Sequence, residues 1–285
     1  MRILVIGGYG NFGARICRAL MRHPEYEVLA AARDPQTGAR RAGLDGRVRG
    51  VRLDLDAADF ATALGRLSPS IVIHCAGPFQ WQDYRVSQAS MAAGAHYIDL
   101  ADGREFVAHF AGHLDSTARA VDVLAVSGAS TLPALSSAVV DSLLARFRQL
   151  REISIVIAPG QQAPRGTATL AAVFSYAGRP FRLWRGGEWV TVHGWQDVVR
   201  QRIAGLGKRW AAACDVPDLE LFPSRYAGVR TVEFRAALEL AVEHAALWLA
   251  AGIRRVGIPL PIECCAGFLN GLSAFLDRFG SERGA

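Results

Sequence analysis

Lysine is almost missing from this sequence. Lys208 is the only one, and arginine carries the rest of a basic balance of 32 Lys+Arg against 26 Asp+Glu. A catalytic Tyr-x-x-x-Lys pair is therefore excluded, because Ala204 stands four residues before Lys208. Cysteine is scarce and irregularly placed. The five, Cys17, Cys75, Cys214, Cys264 and Cys265, show neither metal-ligand spacing nor a disulfide framework. That pattern suits a reducing, cytoplasmic setting. No uncharged apolar run reaches membrane-spanning length. The most apolar helical stretch, Ala236 to Ile253, carries Glu239, Glu243 and His244. The chain enters a strand at Arg2 with no charged segment and cleavage site before it, so no signal peptide is expected. His109 and His113 share a helix face, but Phe110 stands where a zinc protease would have Glu, and no metal is expected. Gly128-Ala129-Ser130-Thr131 lacks the spacing of a nucleophile elbow. Basic helices interleaved with aromatics are lacking, so no nucleic-acid partner is expected. Neither internal repeats nor low-complexity tracts occur.

What is present is enough apolar material for a core: 51% of the 285 residues are hydrophobic. That length is a soft prior of about two domains. The first part alternates short apolar runs with amphipathic stretches. Strands are expected at Arg2–Ile6, Glu27–Ala32, Val48–Leu53, Ile71–Cys75, His96–Leu100 and Val123–Val126. Helices are expected at Ala14–Arg22, Ala57–Leu67, Tyr84–Ala93 and Phe106–Ala120. This is the pattern of an α/β, Rossmann-type doubly wound parallel sheet over residues 1–130. A second, α+β domain is expected over 131–285. It should hold a helix from Leu135 to Arg148, a strand at Glu152–Ala158, and a hairpin over Phe181–Val192 turning at Arg185-Gly186-Gly187. The remainder reads as helical and loop-rich, punctuated by Pro217, Pro223, Pro259 and Pro261.

The first strand ends in Gly7-Gly8-Tyr9-Gly10-Asn11-Phe12-Gly13. This fits G-x-G-x-x-G as Gly8, Gly10 and Gly13, and the looser G-x-x-G-x-x-G as Gly7, Gly10 and Gly13. Glycines there permit a tight turn, close approach of a pyrophosphate, and packing of the helix on the strand. The helix N-terminus offers N–H groups and a positive dipole end to phosphates. The second strand ends in Ala31-Ala32-Arg33-Asp34-Pro35. Arg33 stands where NAD enzymes place an acid, and its planar fork suits a 2′-phosphate, which favours NADP. Asp34 could take the ribose instead, keeping NAD open, and Arg33 could also be a solvated surface charge. Arg40 and Arg41 could assist or lie on a solvated face. Asp54-Leu55 after the third strand is the corner that commonly lines an adenine pocket, and Asp54 or Asp56 could equally form a turn or helix cap. Cys75-Ala76-Gly77-Pro78 ends the fourth strand with residues small enough for a ribose to lie against backbone, Cys75 itself reading as a small buried hydrophobe. Tyr84, Tyr97, Asp99 and Asp102 lie at or after strand ends and are candidates for proton donation or substrate orientation. Tyr97 and Asp99 share one face by the two-residue period. Asp99 could instead cap the following helix.

Several of these pieces together resemble the saccharopine dehydrogenase-like oxidoreductases. They are Gly8 to Gly13, Cys75-Ala76-Gly77-Pro78-Phe79 with Tyr84 following, Ala93-Gly94-Ala95-His96-Tyr97-Ile98-Asp99-Leu100, Arg165-Gly166-Thr167, and Phe279-Gly280-Ser281-Glu282-Arg283-Gly284. The resemblance implies a nicotinamide-dependent oxidoreductase with a Rossmann domain. The second domain would supply substrate contacts and the contacts of a homodimer. It implies a small-molecule substrate without fixing it, since relatives act on secondary amines or on enoyl groups of lipid-like molecules. The sequence departs from the family pattern at Ala101-Asp102-Gly103-Arg104-Glu105, where Gly-Glu is usual. Family members also run on past the Phe279–Gly284 stretch, so a C-terminal truncation is expected. The alternative function is a non-catalytic NAD(P)-binding sensor or scaffold, suggested by the lack of a clear catalytic pair. The apolar stretch Ala236–Leu276, with Trp248 and Arg254-Arg255, could make a membrane-surface contact, but a buried helical hairpin is expected there.

Overall fold

A computed structural model describes residues 1–36, 38, 43–44, 46–164, 166–261, 271 and 275–285. Arg40, Arg41, Arg165, Cys264 and Cys265 lie outside them. The chain divides into two compact units, Met1–Leu135 and Ser136–Ala285.

Unit 1 is a six-stranded sheet of β1 (Arg2–Ile6), β2 (Glu27–Ala32), β3 (Val48–Arg52), β4 (Ile71–His74), β5 (His96–Asp99) and β6 (Ala125–Val126). Their order is β3-β2-β1-β4-β5-β6, and every pair is parallel. The helices are α1 (Asn11–Leu20), α2 (Phe60–Arg66), α3 (Arg85–Ala92) and α4 (Arg104–Ala120). Continuous apolar runs are what a sheet covered on both faces requires. Accordingly Ile3 to Ile6 and Val28 to Ala31 are buried without interruption. The chain leaves β1 toward β2 on one side and reaches β4 on the other. The crevice of a doubly wound sheet lies at that reversal, outside the strand C-termini. Here it opens where Gly7 and Cys75 emerge, with the Cys75 N–H donating to the Ile6 carbonyl at 2.8 Å.

Unit 2 holds β7 (Glu152–Ile157), β8 (Pro180–Arg185), β9 (Glu188–His193), β10 (Val199–Ile203), β11 (Gly207–Ala213) and β12 (Thr231–Ala236). β12 pairs along its length with β7 in parallel, and briefly with β8 and β11 in antiparallel sense. The β8–β9 hairpin closes on Gly186 and Gly187, both at positive φ, as a two-residue loop of this hand demands. The helices are α5 (Ser136–Leu143), α6 (Thr167–Tyr176), α7 (Asp218–Arg225) and α8 (Ala241–Arg255).

Three expectations for this unit are corrected. The region after 192 is not only helix and loop: besides α7 and α8 it holds β10, β11 and β12. Val199-Arg200-Gln201-Arg202-Ile203 is polar because it is exposed over Arg200–Arg202. Ala211-Ala212-Ala213 reads as helix by propensity, yet becomes a buried strand through pairing with β10 and β12. The helix expected to reach Arg148 ends at Leu143, followed by a single 3₁₀ turn at Leu144–Arg146. Of the buried hairpin expected over Ala236–Leu276, residues 262–270 and 272–274 lie outside the described ones, and the correction concerns α8 alone. That helix buries His244 and Ala251 but leaves Val242 63% and Leu249 58% exposed.

The Phe279–Gly284 stretch is tied down within unit 2. The Glu239 carboxylate accepts the Gln161 and Ser281 N–H groups at 2.6 and 2.9 Å and the Ser281 hydroxyl at 2.7 Å. Ala158 and Ala285 exchange both backbone hydrogen bonds, at 2.6 and 2.9 Å. Among the described residues, no helix is long and apolar enough to cross a membrane.

Candidate dinucleotide site

The glycine turn is built by crowding. Gly7 has φ +76°, where a side chain would be strained. The Gly7 and Gly8 N–H groups both reach the Ala31 carbonyl, at 3.1 and 3.4 Å. A Cβ on Gly8 would lie 2.8 Å from the Ala30 Cβ, and one on Gly13 would collide with the Gly7 carbonyl oxygen. Gly10 is different. It is the extended N-cap of α1, where a Cβ would meet only the Gly7 oxygen at 3.2 Å. The three roles thus fall to Gly7 for the turn, Gly10 for open access at the helix start, and Gly13 for packing. This is the looser of the two spacings, and Gly8 is a fourth requirement, set by β2. The first turn of α1 holds no acidic residue. Its N-terminal end therefore keeps the positive field of the helix dipole. Within the same loop the Tyr9 ring turns back against Gly38 and Gly50, so it packs rather than reaching outward. Asn11 is half-buried and Phe12 exposed.

Arg33 and Asp34, at the end of β2, are both exposed. No ion pair or hydrogen bond holds the Arg33 guanidinium among the described residues. Asp54 forms a turn, accepting the Asp56 N–H at 3.2 Å, and does not cap α2, whose N-cap is Asp59. Leu55 beside it is half-buried. At the exit of β4, the Gln82 amide donates to the Ala76 and Pro78 carbonyls at 2.7 and 3.0 Å, fixing the Cys75–Pro78 backbone. Burial pushes the Cys75 thiol up to about 12, with Cys17 and Asp99 adding to it, so it is an unreactive thiol at neutral pH.

Below these strand ends lies a buried polar group. The Tyr97 hydroxyl and His74 Nδ1 are 3.1 Å apart, and Tyr97 and Asp99 are both 0% exposed. Parallel register places His74 beside Asp99. Burial lowers His74 to about 4 and raises both Tyr97 and Asp99, so the imidazole is neutral and the phenol protonated near neutral pH. Asp99 does not cap α4, whose N-cap is Gly103. One of its oxygens instead accepts from the Ala101 N–H at 3.0 Å, the Gly128 N–H at 2.8 Å and the Ser127 hydroxyl at 3.0 Å. Tyr84 lies apart from this group. Its ring packs on Phe106, Phe110 and His113, and its hydroxyl donates to the Phe106 carbonyl at 2.9 Å. Asp102 is half-buried, accepts from the Gln80 amide at 3.2 Å, and is raised by burial. The sequence reading missed His74. The available signal was a polar residue closing the apolar run Ile71-Val72-Ile73, in a strand otherwise made for burial.

Residues 3–132 match the family model of the saccharopine dehydrogenase NADP binding domain. They form an NAD(P)-binding, dehydrogenase-type domain. Among solved structures, the chain is similar to apo saccharopine dehydrogenase (L-Glu forming) from Saccharomyces cerevisiae. The identity is 12% and the TM-score 0.60, over 83% of this chain and 54% of that one. That likeness shows the fold, and the chain spans about half the length of the yeast enzyme. The WlbA dehydrogenase from Thermus thermophilus, solved with NAD and alpha-ketoglutarate, aligns at 10% identity and a TM-score of 0.45. The alignment covers 84% of this chain and 72% of that one. No curated protein matches the chain.

Proposed function

We propose, from the match of residues 3–132 to the saccharopine dehydrogenase NADP binding domain family model, that this chain is an NADP-dependent oxidoreductase. Its substrate would be a small or lipid-like molecule with an imine/amine or enoyl group. The observation that carries this reading is the pairing of a glycine turn that no side chain could share with an exposed Arg33 at the end of β2. The cradle at Gly7, Gly8 and Gly13 fits a dinucleotide because added Cβ atoms would strike backbone or the facing strand. A bound nicotinamide dinucleotide supplies the carbon that gives or takes hydride. The chain's own residues hold it. Gly10 leaves the α1 N-terminus open to a pyrophosphate, Arg33 offers a planar fork to a 2′-phosphate, and Asp34 is placed for a ribose hydroxyl.

Of the residues considered for proton transfer, Asp102 fits best. It has partial access to solvent and a carboxyl whose proton affinity is raised by burial. Tyr97 and Asp99 are sealed in and act as positioning residues for the loops around them. A small-molecule substrate, a homodimer and a reducing, cytoplasmic setting belong to the same proposal, and Cys17, Cys75 and Cys214 are free thiols in keeping with that setting. One observation favours a second reading, a NAD(P)-binding sensor without turnover. Tyr84, Tyr97 and Asp99 are all engaged in structural hydrogen bonds.

Calorimetric titration with NADPH and NADH side by side tests the first reading. NADPH should bind more tightly. Arg33→Asp should weaken NADPH by tenfold to a hundredfold, about 1.4–2.8 kcal/mol, and change NADH by less than about threefold. Equal losses for both would remove Arg33 as the selector, and no binding of either would overturn the reading. Binding without turnover of amino-acid imines or enoyl thioesters would favour the sensor.

A further inference from the structure

Sequence and register single out one hairpin of unit 2. β10 and β11 pair with Arg200 opposite Trp210 and Arg202 opposite Lys208. These four share one face, because alternate residues of a strand point the same way. All four are exposed, Trp210 by 46%. The opposite face is committed to the core. Val199, Ile203 and Leu206 pack with Val156 around the buried Ala158, Ala211 and Ala237. Arg209 belongs to that side too. It is buried, donates to the Pro159 carbonyl at 3.0 Å and lies 3.9 Å from Glu239.

Charge on the exposed face has one sign. No acidic residue occurs between Asp197 and Asp215, and Lys208 is the only lysine of the chain. Among the described residues no acid holds Arg200, Arg202 or Lys208. The Arg200 guanidinium instead lies over the Trp210 ring, 5.7 Å from its centroid, and is oriented by it. β10 is also an edge of the sheet. β11 is joined to β12 at Ala212 and Ala213, whereas β10 pairs with β11 on one side and, among the described residues, with no strand on the other. Its outward N–H and C=O groups are a template for a further strand. Charges on an edge commonly serve to keep strands away. That purpose needs no exposed indole, and here Trp210 gives the face a ring on which one guanidinium is already placed. A second copy is a poor occupant, since pairing two β10 strands would set arginine against arginine.

We propose that the free edge of β10 takes an extended acidic peptide as an added strand. In a strand laid against β10, alternate side chains come to one face, and two of them sit opposite Arg200 and Arg202. Aspartate or glutamate at those positions pairs with the two guanidinium groups, and Lys208 deepens the positive field of the same face. Backbone hydrogen bonds supply the affinity and the alternating acids supply the specificity. A bilayer would meet one indole and no apolar stripe on this face, and it has no use for the edge. A nucleic acid could use the charge and the ring, but not the edge. The site is independent of the dinucleotide reading, because it lies wholly in unit 2.

Fluorescence anisotropy of a labelled peptide alternating Glu and Thr, titrated with the whole chain, measures the binding, and amide exchange by NMR locates it. Binding should saturate, weaken with added salt and slow exchange of the β10 backbone amides. Arg200→Glu and Arg202→Glu together should weaken it at least tenfold, whereas Arg202→Lys should keep most of it. Both side chains are exposed, so these variants should fold, which circular dichroism checks. The same peptide N-methylated throughout keeps its charge and loses its donors, and it should bind at least tenfold more weakly. No binding of the Glu-Thr peptide, equal binding of its N-methylated form, or binding that the double charge reversal leaves unchanged overturns the proposal. So does a chain that ignores the peptide and is retained by phosphatidylserine vesicles or by an oligothymidylate.

Discussion

In unit 1, β1 and β2 bury every residue from Ile3 to Ile6 and from Val28 to Ala31, whereas in unit 2, β8 alternates buried Phe181 and Leu183 with exposed Pro180 and Arg182. The first pattern is that of a sheet covered on both faces, the second of a sheet wetted on one. Two loops, one in each unit, are also fixed differently. The unit 1 turn at Gly7, Gly8 and Gly13 is set by glycines pressed against backbone or the facing strand. In unit 2 the Glu239 carboxylate gathers donors from Gln161 and Ser281. Steric fixation tolerates no added atom, while polar fixation weakens in steps and responds to pH.

The sharpest way to break that contrast is Gly13→Ala. The added methyl has to displace either the Gly7 carbonyl or α1 itself, so NADPH affinity should fall at least a hundredfold by calorimetry. Unit 1 should lose about 1–3 kcal/mol in denaturant unfolding. Unchanged affinity would mean that the loop relaxes and that packing does not define it. Next in size is His74→Leu. Burial holds the wild-type imidazole at about 4, against 6.5 for an ordinary histidine. The unfolded chain takes up a proton below pH 6.5 and the folded chain does not until about 4. His74 therefore contributes stability above pH 6.5 that is lost as pH falls toward 4, at up to about 1.4 kcal/mol per pH unit. The variant should show a flatter decline across that window, and an equal slope in both proteins would rule the imidazole out as its cause. The smallest effect is expected from Glu239→Gln. Burial alone would raise the carboxyl, but the Ser281 and Gln161 N–H groups and Arg209 hold it below the usual range. Its contribution is present above the ordinary carboxylate pKa and lost as pH falls through the lowered one. The variant should cost unit 2 about 1–2 kcal/mol at pH 7. It should also speed amide exchange at Gln161 and Ser281, and unaltered exchange there would show that other contacts hold the segment.

The same contrast explains what could be read from the residues alone. Apolar runs such as Ile3-Leu4-Val5-Ile6 and Ile71-Val72-Ile73 announce covered parallel strands, because nothing else needs such runs between glycines. Strand β10 carries Arg200, Gln201 and Arg202 on exposed positions, and β11 ends in three alanines, so neither pattern nor propensity marks them. Only pairing across Val199–Ala211 and Ala213–Arg235 makes them strands. The glycine loop was legible as a motif, but the division of labour within it was not. The crowding at Gly7 and Gly8 depends on where Ala76 and Ala30 come to lie. The acid–base candidates were legible as residue types at strand ends. Their employment was hidden, because the donors that occupy Asp99 come from Ser127 and Gly128, nearly thirty residues further along.

Asp99 also has a mechanical meaning. A single carboxylate oxygen fastens the exit of β5 to the exit of β6 and spans the whole of α4 between them. The pair of strands thus closes a long loop as a covalent cross-link would, but with bonds that form without an oxidant. A force that peels β6, only two residues long, from the sheet edge would load that oxygen together with the backbone bond from the Ala129 N–H to the Asp99 carbonyl, 2.9 Å. The shortest strand of the domain is in this sense held by an acceptor on its neighbour as well as by its own ladder.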